Sequence, residues 1–353
     1  MTKMFDLSLY DYELPKGLIA QYPYERRDKA RLMIVSDKIE HKVFSNLIDY
    51  VSSGDVIVLN QTKVLKFKLY AQKITGANAE ITIMNTNLVD VSRTKILCKI
   101  KGSKPKIGNE YEIEDIKAKI ISADEDDFVL EFYSGDNVLT MMELKEFCDK
   151  HGYYPLPGYI KEQSKDYDYQ EKYQAVFAEK EGSIAAPTAS LHFTPELIDK
   201  LKQKGVKFAY LTLHVSYSTF KSINVSDIRE HKLDPEFIEI DSENATLINN
   251  AKGEVIAVGT TVLKSLESLS DINGFISPKS MLSELYIYPS YKFKSKATKL
   301  LTNFHLPKSS LILLTSAFAS WQRVKEAYEL GVKEKYKFFS FGDAMLLDKN
   351  EII

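Results

Sequence analysis

The chain alternates short apolar runs with stretches of helical periodicity. Asp55-Val-Ile-Val-Leu-Asn60 follows Gly54 as a continuous apolar run, the mark of a strand buried on both faces. Comparable runs lie at Phe208 to Val215, Val255 to Val258 and Leu285 to Tyr288. Between them the period lengthens. Thr194-Pro195-Glu196 opens a predicted helix, with Thr as N-cap, Pro in the first position and Glu facing the positive end of the dipole. Leu197, Ile198 and Leu201 supply its apolar stripe, and Gly205 is its natural stop. A second helix is predicted over Thr261 to Leu269, and a long third one from Ser309 or Ser310 to near Gly331. Strands alternating with helices predict an α/β domain.

Residues 63 to 150 read differently. Lys66 to Tyr70, Glu80 to Ile83, Lys95 to Ile100, Glu110 to Glu114 and Phe128 to Phe132 are short and alternate apolar with polar. Gly76, Gly102, Pro105, Gly108 and Gly135 punctuate them, as in a small antiparallel barrel. The expected architecture is therefore an α/β main domain, residues 1–62 and 151–353, with a small inserted antiparallel β-barrel domain over 63–150.

Composition narrows the class. With 353 residues, 44% hydrophobic and 27% charged, the chain is globular and long enough for two domains. Two cysteines, Cys98 and Cys148, give no disulfide framework, and six scattered histidines give no basis for a metal site. The N-terminus lacks an apolar signal core. The longest apolar stretch, Ser310 to Trp321, is too short to span a bilayer, so a cytoplasmic protein without a membrane anchor is expected. Net charge is −2, yet residues 63–110 carry ten basic side chains against three acidic ones. Such a cluster, which includes Lys99, Lys101, Lys104 and Lys106, suits a phosphate backbone, and equally suits a solvated strand face whose lysines guard an edge.

Four stretches could carry chemistry. In Gly182-Ser-Ile-Ala-Ala-Pro-Thr-Ala-Ser-Leu-His-Phe193, Thr188, Ser190 and His192 alternate and would share one face if extended. A hydroxyl and an imidazole so placed can protonate a leaving group, although a tight loop with a locally satisfied His192 fits too. In Leu211-Thr-Leu-His-Val-Ser216, Thr212, His214 and Ser216 form one polar face at the end of a strand, where α/β sheets bind ligands. Val258-Gly-Thr-Thr261 runs a strand into a helix, and Thr260 and Thr261 with the first helical N–H groups suit an anion. Asn303 and His305 lie two apart in an extended loop before a capped helix. No dinucleotide-binding glycine motif, Walker A loop, HExxH or nucleophile elbow occurs.

GSIAAPTASLHF, TLHVSYSTF, IAVGTT, LTNFHLPKSSL and KYKFFSFGDAM together resemble the S-adenosylmethionine:tRNA ribosyltransferase-isomerases of queuosine biosynthesis. YDYELPKGLIAQYP, VLNQTKV and HGYYPLPGYI extend the resemblance over nearly the whole chain, most weakly in the insertion. The resemblance implies transfer and isomerisation of the ribosyl part of S-adenosylmethionine onto 7-aminomethyl-7-deazaguanine in tRNA. Epoxyqueuosine forms, and adenine and methionine leave. It also implies an α/β domain with an inserted β-barrel, and S-adenosylmethionine as a consumed co-substrate rather than a cofactor. The expected partners are this tRNA and S-adenosylmethionine, and the expected state is a monomer.

On this resemblance His192 and His214, with Thr188, are expected to serve as the acid for adenine and the base at C5′, in unassigned order. Asn303 and His305 would hold ribose hydroxyls or the deazaguanine, and Ser190 and Thr212 would also bind substrate. Thr260, Thr261 and Lys264 would take the methionine carboxylate. Asp343 would pair with the substrate amine or cap its own turn. The chain departs from the family pattern at Ser190, Ser216, Ser218 and Ser290, where glycines are usual, and at Lys63, Lys68 and Lys264, where arginines are usual. A serine at a left-handed glycine position costs on the order of 1 kcal/mol. Lysine keeps the charge of arginine and loses its bidentate fork. A tRNA-binding relative with weakened catalysis is the alternative these departures raise.

Overall fold

A computed structural model describes residues 3–84, 90–161, 172–216 and 223–350. Its larger sheet has nine strands. The spatial order is Lys279–Ser283, Glu236–Ile240, Lys207–Leu213, Val56–Asn60, Val255–Val258, Lys299–Asn303, Ala344–Asp348, Arg31–Val35 and Ile39–Val43. The central four run parallel, and Ala344–Asp348 lies antiparallel beside Lys299–Asn303. All five residues of Val56–Asn60 are buried. Val56 and Val58 pack into one apolar layer with Leu263 and Leu266, while Ile57 and Leu59 pack into the other with Leu197, Ile198 and Leu201. Burial on both faces explains why this strand is apolar without alternation.

The Pro195–Gln203 helix forms as its sequence predicts, with the Thr194 hydroxyl accepting from Leu197 N at 3.2 Å. The Thr260–Leu269 helix begins one residue earlier than expected. The predicted third helix is two, Ser310–Ala319 and Trp321–Lys333, broken at Ser320 with φ 71°. Ser320 caps the second through its hydroxyl, 3.5 Å from Arg323 N. Leu285 to Tyr288 is not a strand: the edge strand lies just before it, at Lys279–Ser283. The segment read as a loop around Asn303 is instead the end of a central strand. Arg31–Val35 and Ala344–Asp348, which the apolar runs had not singled out, complete the sheet.

Seven antiparallel strands form the second sheet, between Lys68 and Val138. Asp127–Ser134 pairs with both Ile96–Gly102 and Ile116–Asp124, so six strands form a ladder that returns on itself. Inward residues such as Leu69, Ile81, Cys98, Tyr111 and Leu130 form their own apolar cluster, joined by Met141, Leu144 and Cys148 of the Met141–His151 helix. That helix starts on a reciprocal cap between Thr140 and Glu143. No helix among the described residues is long and apolar enough to cross a membrane.

Candidate active site

The parallel strands Val255–Val258 and Lys299–Asn303 end at one edge of the sheet, and the chain turns there into helices or loops. Open α/β sheets bind their ligands at this edge. A cavity of about 530 Å³ opens here. Its walls are Ala185 to Ala189, Gly259 to Thr261, Thr302 to Ser309, Pro157 to Tyr159, and Phe339 with Ser340. Thr188, Thr260, Thr261, Asn303 and His305, drawn from three sequence stretches, therefore meet on one surface.

Gly259 decides the character of one wall. It occupies the N-cap at φ 96°, a left-handed conformation glycine adopts without strain, and offers no side chain to cap the helix. The N–H groups of the first helical turn have no partner within the helix. They carry the positive end of its dipole to the cavity edge at Thr260 and Thr261.

Asn303 organises another wall. Its Oδ1 accepts from the Thr188 hydroxyl at 3.0 Å. Its Nδ2 donates to His192 Nε2 at 3.1 Å and to the Asp343 carbonyl at 3.3 Å. With Nε2 accepting, the neutral imidazole carries its proton on Nδ1. Burial drives the His192 pKa down from 6.5 to about 4, against a backbone hydrogen bond at Arg27. The imidazole is thus uncharged at neutral pH.

These contacts correct the expected arrangement around His192. Thr188–His192 is a 3-10 turn closed by Ser190 N to the Pro187 carbonyl, not an extended segment, so its three polar side chains do not share a face. Thr188 reaches the cavity. His192 is 3% exposed and lines a separate cleft of about 10 Å³ beside Tyr24 and Arg27. Ser190 is fully buried, and its hydroxyl has no hydrogen-bond partner among the described residues.

The second polar stretch is also redistributed. Its strand ends at Leu213, and Thr212 is buried, accepting from Gln61 Nε2 at 3.2 Å. The Thr212 side chain is covered because the sheet is covered on both faces. His214 lies outside the cavity walls, its Nδ1 2.8 Å from the Thr62 hydroxyl and its ring stacked on Phe237. Burial lowers its pKa to about 4. A Cβ at Gly182 would lie 2.6 Å from this ring.

His305 is the histidine of the cavity wall, with Nε2 3.1 Å from the Thr302 hydroxyl and a pKa lowered by burial to about 3. Its carbonyl accepts from the Tyr12 hydroxyl, and its N–H donates to the Tyr328 hydroxyl at 2.8 Å. Asp343 ties its own turn to the start of the Arg31–Val35 strand. Its carboxylate accepts from Arg31 N and Lys337 N, each at 2.7 Å, and from the Tyr24 hydroxyl at 2.9 Å. Burial raises its pKa against these bonds. Lys264 lies one turn beyond Thr260, 2.9 Å from Glu236, and both are 6% exposed. Glu236 closes the His231-Lys-Leu-Asp-Pro-Glu236 run, which departs from the family's His-x-Met-His-x-Glu pattern, and nothing in that run signals that the acid is buried beside Lys264.

A family model described as queuosine biosynthesis protein matches residues 7–347. The S-adenosylmethionine:tRNA ribosyltransferase-isomerase of Sulfurihydrogenibium sp. (strain YO3AOP1) is 43% identical, over 97% of this chain and 99% of that protein. The chain belongs to the queuosine biosynthesis family. Its relative of the same name from Acetivibrio thermocellus is 42% identical over 97% of this chain and 99% of that protein. The crystal structure of S-adenosylmethionine tRNA ribosyltransferase from Thermotoga maritima matches with a TM-score of 0.52 and 34% identity, covering 96% of this chain and 99% of that one.

Within this family the serine and lysine departures can now be placed. Ser290 sits at φ 86°, so a side chain does occupy a left-handed position there. Ser190 and Ser216 are not left-handed, and Ser218 lies outside the described residues. Lys63 pairs with Glu181 at 3.1 Å. Lys68 is buried, with its ammonium 4.9 Å above the Tyr70 ring.

Proposed function

We propose that this protein transfers and isomerises the ribosyl moiety of S-adenosylmethionine onto 7-aminomethyl-7-deazaguanine in tRNA. The products are epoxyqueuosine-tRNA, adenine and methionine, and S-adenosylmethionine is consumed as a co-substrate. The observation that carries this reading is the 530 Å³ cavity at the strand ends, large enough for a nucleoside, in a chain of this family. Thr188 and Asn303 face the sugar and base. Because Thr188 gives its proton to Asn303, its oxygen turns toward the cavity as an acceptor, suited to a ribose hydroxyl or an amine. His305, held uncharged by burial, binds a ribose hydroxyl or the base there. His192 acts through Asn303, whereas His214, held by Thr62 and Phe237 outside the cavity, has no part in this reading.

The remainder of the reading concerns the RNA. Residues 63–150 form an inserted domain, and the ring of pairings in its sheet supports a small barrel. Lys101, Lys104 and Lys106 are exposed on it, while Lys99 is partly covered by Asp127 at 2.8 Å. They contact the tRNA backbone. The protein works in the cytoplasm as a monomer.

Incubation with S-adenosylmethionine and tRNA carrying 7-aminomethyl-7-deazaguanine, followed by chromatography, tests the proposal. Adenine released in step with modified tRNA is expected. Tight tRNA binding with no adenine would leave the non-catalytic relative instead.

A further inference from the structure

A second, smaller pocket of about 40 Å³ adjoins the main cavity and shares Thr260, Thr261 and Leu311 with it. Asp234, Glu236, Lys264, Tyr286 and Ser310 complete its polar wall. Lys264 Nζ lies 2.9 Å from Glu236 Oε2, and the other carboxylate oxygen accepts from Ser216 N at 3.2 Å. A buried ion pair is a poor stabiliser, since desolvation offsets its attraction and two apolar side chains would serve as well. The Tyr286 hydroxyl is shielded from solvent and has no hydrogen-bond partner among the described residues, an arrangement that costs stability unless a ligand completes it.

We propose that this pocket receives the zwitterionic α-amino acid end of S-adenosylmethionine, with Glu236 binding its ammonium and Lys264 its carboxylate. The inference rests on the function proposed above and assigns the substrate's two halves to two chambers. An ammonium and carboxylate inserted at the pair exchange one set of partners for another, leaving four charges alternating in sign. The uncapped helix start at Gly259 donates to the same carboxylate. At about 10–15 Å³ per water, the pocket volume matches roughly three water-sized groups, the scale of an amino acid head. The nucleoside remains in the larger cavity across Thr260 and Thr261. Offering one partner of each sign, the Glu236–Lys264 pair favours a zwitterion over a carboxylate alone, and Asp234 on the same wall adds to the hold on its ammonium.

The test is calorimetric titration with S-adenosylhomocysteine, which carries the amino acid end, and with 5′-deoxy-5′-methylthioadenosine, which lacks it. The wild type should prefer the first by about tenfold or more, the scale of a hydrogen bond to a charged group. Glu236→Gln and Lys264→Met should each abolish that preference while the methylthioadenosine Kd stays within about twofold, since no group that ligand touches has changed. The double variant leaves no unpaired buried charge and supplies the same comparison if a single variant unfolds. A preference that survives in the variants, or an equal weakening of both ligands, overturns the subsite. Adenine release by the wild type is measured separately, so failure of the reaction is distinguished from failure of the subsite.

Discussion

The Nδ2 amide of Asn303 donates to Nε2 of His192 at 3.1 Å, across 111 residues of sequence. This bond fixes the imidazole tautomer and turns the Asn303 carbonyl oxygen toward Thr188. This geometry favours a positioning role for His192, which two variants test. His192→Gln can keep both an acceptor for Asn303 and a donor, and should retain most adenine release. His192→Ala should lose activity and stability together. A rate per folded molecule that falls equally in both variants would show that the imidazole itself transfers a proton.

The same residue sets an acid limit. Its folded pKa, about 4, lies below the usual 6.5, so between these values the unfolded chain binds a proton that the native chain does not. Stability is complete above pH 6.5 and declines as the pH falls toward 4. His214 and His305, with pKa values lowered to about 4 and about 3, act in the same direction. Urea midpoints at pH 7 and pH 5 should differ less for His192→Gln than for the wild type.

Thr188→Val removes a hydroxyl that bridges Asn303 and the cavity while keeping the side-chain shape. Adenine release should fall, with kcat/KM lowered by about tenfold or more, the effect of one lost substrate hydrogen bond plus an unsatisfied Asn303 oxygen. Thr188→Ser should restore it. Single-turnover kinetics on the pair distinguishes this from a loss of folded protein.

Gly182 lies against the His214 ring at φ 149°. Gly182→Ala would place a methyl 2.6 Å from ring atoms and must displace the imidazole or the backbone. Stability should fall by about 1–3 kcal/mol, the range for overpacking. An unchanged thermal midpoint would mean that the ring swings away without cost.

Charge reversal at Lys99, Lys101, Lys104 and Lys106 should weaken tRNA binding and flatten its salt dependence. Binding measured at two salt concentrations checks both effects. Undiminished affinity would move the RNA surface away from this sheet.

Ser290→Gly should stabilise the protein by about 0.5–1 kcal/mol, because φ 86° strains a residue with a Cβ more than the extra freedom of glycine costs. Chemical denaturation reads the difference directly.

Local chemistry made several elements legible. The Thr194-Pro195-Glu196 start and the all-apolar Val56–Asn60 strand need only neighbours in sequence to be recognised, since a cap and a run are local signals. Five of the alternating strands between 68 and 134 were visible for the same reason, though not Ile116–Asp124, as was the Gly259-Thr260 turn into a helix. By itself the sequence marked the Val258-Gly-Thr-Thr261 strand-to-helix turn and set Asn303 and His305 apart as polar candidates, but in a loop rather than at a strand end. Tertiary structure decided which of them face the cavity. A 3-10 turn after Pro187 sends Thr188 to the ligand side and His192 into the interior, although both sit in the same motif. Only packing brings Glu236 to Lys264, 28 residues away, because an ion pair forms between strands and helices that the sheet order places together. Burial then changes what these groups are. An imidazole that would titrate near neutrality in water is held uncharged by desolvation, a property of its surroundings that residue identity alone cannot carry.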